Sequence, residues 1–335
     1  MDGISIILCH HMGNLIDKAV SSIFLSRNVN FEIIIATSDL ECEKKYHKMT
    51  PEIRAFYCQG GPAYKRNLAF LYAQYPYVAF FDDDVEVCEY TLEEMLKVLK
   101  QDSVGMVFGK LLNMEFRNRF DEAGSYLTWT GFLWARSQSG DEDKGQFENV
   151  EPILAGKSAS CMIDRKVFVD AGMFDASYEI LGEETDLSWR VWLLGYKVLF
   201  VPKSITYHAF NTRFKPGNFY VPKRVYYNGC RNYISMLLTN LEARNLQITL
   251  MVQVSVWLAA SMGMLITGKF EAGKYILQGL IYVATHLSSI LSKRKRVQKS
   301  RKIGDRQLFP LIKKSPPAEY YIKRLLHYIK TGRHG

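Results

Sequence analysis

Over the first 110 residues, short uninterrupted apolar runs alternate with stretches of helical periodicity. "ISIILC" (4–9), "FEIIIA" (31–36), "YVAFF" (77–81) and "SVGMVFG" (103–109) are too short for helices and apolar throughout, which predicts strands buried on both faces. Between them, "GNLIDKAVSSIFLSR" (13–27) sets Leu15, Ala19, Val20, Ile23 and Phe24 at helical spacing. "PAYKRNLAFLYAQ" (62–74) opens on proline, which suits a first helical turn. "TLEEMLKVLK" (91–100) places Glu94 three residues after Thr91, the spacing of a capping box. Strands alternating with helices imply right-handed crossovers, so the class is α/β with a Rossmann-like, mostly parallel sheet and flanking helices.

The pattern then changes twice. Residues 111–155 are polar, aromatic and glycine-punctuated, with a loop at 137–146 and no assignable period. Periodicity returns in "DRKVFVDAGMF" (164–174), a short Asp-capped helix, and in "EETDLSWRVWLLG" (183–195), a helix with acids at its start and Gly195 at its end. "YKVLFVP" (196–202) predicts a strand stopped by Pro202, with His208 just beyond it. After residue 223 two long segments, 248–267 and 275–292, contain no acid, lysine or arginine, and "KRKR" (293–296) follows. Twenty such residues are enough to cross a bilayer, so a two-pass hairpin with both ends in the cytosol is expected, with helices lying in the interface or a buried helical subdomain as the alternatives. Three regions result: a catalytic domain over 1–222, membrane-associated helices over 223–292 and a basic tail over 293–335.

Charge sharpens this division. Residues 291–335 hold 14 of the 43 Lys/Arg but only two acids, Asp305 and Glu319, while residues 1–290 carry a net −3. The formal +9 therefore belongs to the tail, where it fits an anionic membrane surface better than nucleic acid. The six cysteines are scattered without a CxxC pair, which argues against a zinc site or disulfide framework and for a reducing compartment. "MDGISIILC" has no basic region followed by a long apolar stretch, so no secretory leader is expected.

Candidate chemistry gathers near the predicted strand ends. "YVAFFDDDVEV" (77–87) drives a buried strand into Asp82, Asp83 and Asp84, and three adjacent carboxylates repel unless something positive lies among them. Ligands of open α/β sheets bind outside the carboxyl ends of the strands, where this triplet falls. Glu183, Glu184 and Asp186 open a helix, and His208 follows a strand. Carboxylate oxygens suit Mg²⁺ or Mn²⁺, and imidazole suits Mn²⁺ better. In "GGPAYKRN" (60–67), the backbone at Gly61 and the Arg66 side chain are placed to meet a phosphate. Each has a plainer reading: helix starts favour acids, Asp186 and Arg190 have the spacing of a surface ion pair, and a lone histidine is usually structural.

In order, "ISIILC", "FEIII", "GGPAYKRN", "YVAFFDDDVEV", "ILAGKSASCMIDRKVFVDAGMFD", "LGEETDLSWRVWLLGYKVLFVP" and "YH" resemble the family 2 glycosyltransferases of the GT-A fold, in the inverting, rhamnosyltransferase-like branch that extends lipid-linked glycans and polysaccharides. The resemblance implies a DxD metal motif at Asp82 and Asp84, with His208 as a further ligand, Mg²⁺ or Mn²⁺ as cofactor and Asp83 near the donor. It implies a catalytic base in the acidic pair, Glu184 first and Glu183 second, with Asp186 beside them on a helix start that would keep the base ionised. The first strand runs into Cys9-His10-His11 where Thr-Tyr-Asn is common, and Thr37, with Asp39 two residues on, stands where a base-recognising aspartate is usual. The implied partners are a nucleotide-sugar donor and a lipid-linked or polysaccharide acceptor, at the cytoplasmic face of the cell membrane. A metal-dependent nucleotidyltransferase or phosphohydrolase would use the aspartates but not the distant "EETD". A degenerate, non-catalytic membrane scaffold would need neither.

Overall fold

The computed structural model describes residues 2–11, 13–47, 49–209 and 223–331. The expected domain end at residue 222 lies outside these residues, as do the last four of the basic tail. The chain divides into two compact units. The first comprises the residues up to 125, 135–179 and those from 183 to the undescribed stretch; the second comprises 126–134, 180–182 and the C-terminal region.

The first half of the chain runs β1 (Ile4–His10), α1 (Leu15–Phe24), β2 (Phe31–Thr37), α2 (Leu40–Tyr46), β3 (Ile53–Tyr57), α3 (Pro62–Phe70), β4 (Tyr77–Asp82), β5 (Val85–Val87), α4 (Thr91–Leu99) and β6 (Val104–Asn113). It continues through β7 (Phe120–Glu122), β8 (Ser125–Leu127), β9 (Leu133–Ala135), β10 (Glu151–Pro152), β11 (Ser160–Asp164), α5 (Arg165–Asp170), α6 (Glu183–Leu193) and β12 (Lys197–His208). The main sheet has the order β10-β12-β6-β11-β4-β1-β2-β3. Its β4-β1-β2-β3 half is parallel, and β6 and β12 pair in parallel, but β11 runs antiparallel between β4 and β6. The α/β architecture with flanking helices is as expected, and the antiparallel β11 makes the sheet mixed. Ile4, Ile6, Ile7 and Leu8 of β1 and Val78 to Phe81 of β4 are fully buried, so their unbroken apolar runs reflect helices packed on both faces.

Two local expectations are corrected. Tyr90, not Thr91, precedes α4, and the buried Thr91 hydroxyl donates to the Ile205 carbonyl (2.5 Å), so no Thr91–Glu94 capping box forms. Pro202 does not end its strand: β12 continues to His208 because a register shift between Val201 and Ile205 takes the proline out of the ladder.

The second unit carries α7 (Lys223–Asn240), α8 (Ala243–Ile266), α9 (Phe270–Thr285), α10 (Leu287–Ser300), α11 (Asp305–Ile312) and α12 (Ala318–Thr331). Cys230 and Ile234 of α7, Trp257 and Met264 of α8 and Ile276 of α9 form its core. Among the described residues α8 is the one helix that by itself is long and apolar enough to cross a membrane. The second segment expected to span is broken: α9 and α10 meet at 65°, where His286 stacks on Tyr282 and its backbone N–H closes α9.

Candidate active site

The strand order reverses at β1, whose neighbours are β2 on one side and β4 on the other, which opens a crevice at the carboxyl ends. Asp82, the last residue of β4, sits opposite Cys9 of β1. The chain then turns at Asp83 and Asp84 and returns as β5, antiparallel to β12, which sets Val85 opposite His208. This fold-back assembles residues 124 positions apart. Ligand atoms of Asp82, Asp84 and His208 all lie within 4.8 Å of one another. His208 Nε2 is 3.1 Å from Asp84 Oδ1 and 3.9 Å from Asp82 Oδ2. Asp83 turns the other way, accepting from the His11 backbone N–H at 3.3 Å, with the buried His10 ring 3.9 Å distant. The triplet thus separates into two converging carboxylates and one diverging one. Two hard oxygen donors beside an imidazole fit Mn²⁺ or Mg²⁺.

Behind the histidine lies a second layer that the sequence did not single out. His208 Nδ1 is 2.8 Å from Asp121 Oδ2, and Lys157 Nζ donates to Asp121 Oδ1 at 2.7 Å. Burial alone would raise the Asp121 carboxyl, but Lys157 and His208 outweigh it and hold the pKa at about 2. Burial likewise opposes charge on His208, yet its bonds to Asp121 and Asp84 raise it to about 10. Glu122, 3.9 Å from Lys157, is pushed by burial to about 7.

Arg66 links this cluster to the acidic helix. Its guanidinium, 2% exposed, donates to Asp82 Oδ1 at 2.7 Å and to Glu183 Oε1 at 3.2 Å, and lies over the Phe174 ring. The residue expected to meet a phosphate is therefore engaged with two carboxylates of the site. Half-buried Glu184 carries a pKa well above the usual carboxylate range, because burial and the adjacent Glu183 carboxylate both disfavour its charge. The backbone N–H at the helix start favours the ionised form, but burial and Glu183 work against it more strongly. Asp186 is wholly buried and bonded to Arg190 Nε at 3.0 Å, a core ion pair and not a surface one.

The donor-side candidates flank the crevice. Buried Thr37 accepts from the Asp39 backbone N–H (2.9 Å) and contacts His10 Nδ1 (2.7 Å), while Asp39 caps α2 through the Glu41 N–H (2.9 Å). A Cβ at Gly61 would stand 2.8 Å from the Glu179 carbonyl oxygen, so only glycine allows that approach at the start of α3. Buried Lys65 donates to the His10 carbonyl at 2.6 Å.

Comparison with known proteins bears on the fold and the family. The sequence model of glycosyl transferase family 2 matches residues 5–168, which bears out the resemblance carried by the motifs from "ISIILC" to the start of the 164–174 helix and ends before "EETD" and His208. A probable N-acetylgalactosaminyltransferase 8 of Caenorhabditis elegans is 28% identical over 144 residues, covering 41% of this chain and 34% of that protein. The match thus spans about a third of that relative's length. The fold is similar to that of GalNAc-T7 crystallised with UDP, GalNAc and Mn²⁺, with a TM-score of 0.63, 15% identity and coverage of 96% of this chain and 58% of that one. It is also similar to S. aureus TarS 1-349 with UDP-GlcNAc (TM-score 0.56, 15% identity, 98% and 87% covered). A mannosyltransferase of Pyrobaculum calidifontis with GDP-Man and Mn²⁺ gives a TM-score of 0.50 at 12% identity, covering 89% and 85%.

Proposed function

We propose that the family 2 glycosyl transferase module of this chain moves a hexose from a nucleotide-sugar donor to a hydroxyl of a lipid-linked glycan, with inversion, at the cytoplasmic face of a membrane. The observation that carries this reading is the convergence of Asp82, Asp84 and His208 at the carboxyl end of the sheet, tied through Arg66 to the Glu183–Glu184 pair. Asp82, Asp84 and His208 would hold Mg²⁺ or Mn²⁺, which supplies charge neutralisation to the diphosphate of the donor. Glu184 takes the proton of the acceptor hydroxyl as its oxygen forms the bond to the anomeric carbon and the bond to the diphosphate oxygen breaks. Its raised pKa makes it a stronger base than an ordinary carboxylate once ionised. Arg66 fixes the spacing of Asp82 and Glu183, so the donor and acceptor sides of the reaction share one rigid support.

The pKa of Glu184 gives a signed test. Transfer should fall as pH drops through a value well above the ordinary 4.5, because only the ionised carboxylate accepts a proton. Glu183→Gln removes the neighbouring negative charge, so the acidic limb of kcat/KM should move to lower pH. A limb that stays in place would show that Glu184 is not the group being titrated.

Membrane attachment is supported by the polarity of α8. It is apolar nearly all round: Trp257, Ala260 and Met264 lie in the core of its unit, while Ile248, Met251, Leu258, Met262 and Ile266 face outward. A helix apolar on its outer face as well as its inner one leaves a surface suited to lipid. Exposed Lys295, Arg296, Lys299 and Lys302, on and just after α10, suit anionic headgroups. Met251→Asp with Met262→Asp should cut co-sedimentation with anionic vesicles by about tenfold or more, each carboxylate costing about 2.5–3.5 kcal/mol at the centre of a spanning helix. Undiminished binding would place the attachment elsewhere.

A further inference from the structure

We infer that Asp121 and Lys157 are positioning residues for the cation site: Asp121 fixes which nitrogen His208 presents to Asp82 and Asp84, and Lys157 holds Asp121 in that pose. The inference rests on the reading of Asp82, Asp84 and His208 as a divalent-cation site and adds two residues that do not themselves touch the ion.

The backbone aims Asp121 at the histidine. Adjacent residues of β6, Leu111 and Leu112, pair with Glu122 and Phe120 of β7, so Asp121 is the extra residue of a bulge. Bulges re-aim a side chain that regular pairing would send along the ladder. On the other side of β6, β12 pairs His208 with Asn113, one residue past the bulge. The two side chains meet there, with Nδ1 to Oδ2 at 2.8 Å and both groups almost fully buried.

The chemistry of that contact fixes the tautomer. Lys157 bonds Oδ1 at 2.7 Å and keeps the carboxylate an acceptor, so the hydrogen of a neutral imidazole must sit on Nδ1. Nε2 faces Asp84 and Asp82, where a cation would take the place of the proton the ring holds toward Asp84, while Asp121 keeps the other proton on Nδ1. Outer carboxylates that orient ligating histidines in this manner are worth roughly 10–100-fold in metal affinity. An amide at position 121 can instead donate to Nδ1, which moves the hydrogen to Nε2 and blocks the ligand atom, the fault produced when a triad aspartate becomes asparagine.

Mn²⁺ affinity of the purified full chain without donor, read from the electron paramagnetic resonance signal of the free ion, tests this directly. Asp121→Asn should weaken Mn²⁺ binding roughly 10–100-fold, and Lys157→Gln should weaken it less, with melting temperatures recorded for each. In a His208→Ala background neither change should weaken binding further, since there is no ring left to orient. Wild-type affinity in a folded Asp121→Asn chain would overturn the inference, as would a loss of the same size with and without His208. If Asp121→Asn does not fold, the same cycle with Lys157→Gln decides, because Lys157 is one-third exposed and its replacement is the milder change. Mn²⁺ binding unchanged by Asp84→Asn would instead overturn the cation site itself, which separates the two failures.

Discussion

Asp84→Asn should lower transfer by about a thousandfold or more and abolish cation-dependent nucleotide binding, while the chain stays folded. Loss of an ion that neutralises a leaving diphosphate removes several kcal/mol of transition-state stabilisation, and each 1.36 kcal/mol is tenfold in rate. Asp84 is the most sensitive position because it is the carboxylate nearest His208 Nε2, at 3.1 Å, and it is held on the turn that joins β4 to β5. His208→Ala should cost less, because water can replace a neutral ligand. Rates in chelator, beside circular dichroism of the variant, check both points; full activity in either condition would remove the cation from the account.

Glu184→Gln should cut turnover by roughly 10²–10⁴-fold while leaving nucleotide and Mn²⁺ affinity close to wild type. The substitution keeps the shape of the side chain and removes only its capacity to accept a proton. Glu183→Gln should cost less in rate at neutral pH, since Glu183 is bonded to Arg66 and acts on Glu184 through charge. Reversal of the two results would make Glu183 the base. Loss of activity in Asp84→Asn but in neither glutamine variant would favour nucleotidyl transfer or phosphate-ester hydrolysis over an inverting displacement.

How much of this could be read in advance follows from where the information lies along the chain. The strands of the parallel half are short apolar runs because both their faces are covered, and the aspartate triplet stands out because it ends one of them. The Glu183–Glu184 pair was visible as a helix start. Its electrostatics were not, because burial and the interaction with Arg66 arise from contacts 117 residues apart in sequence. Residues 111–155 showed no period because their strands are two or three residues long and β7 is bulged, and that irregular stretch contains Asp121. Arg66 was legible as a cation near a helix start, but its carboxylate partners come from β4 and α6. The break between α9 and α10 lies inside an uncharged segment and is marked only by the polar run from Thr285 to Ser289.

The central claim is chemical, and product analysis tests it most directly. The purified chain, given a panel of nucleotide sugars, Mn²⁺ and membrane lipid extract, should transfer one hexose to a lipid-linked acceptor, seen by mass spectrometry. Nuclear magnetic resonance of that product should show an anomeric configuration opposite to the donor's, with no product in chelator. Release of free sugar alone, cleavage within the diphosphate, or a product that keeps the donor's configuration would contradict the account.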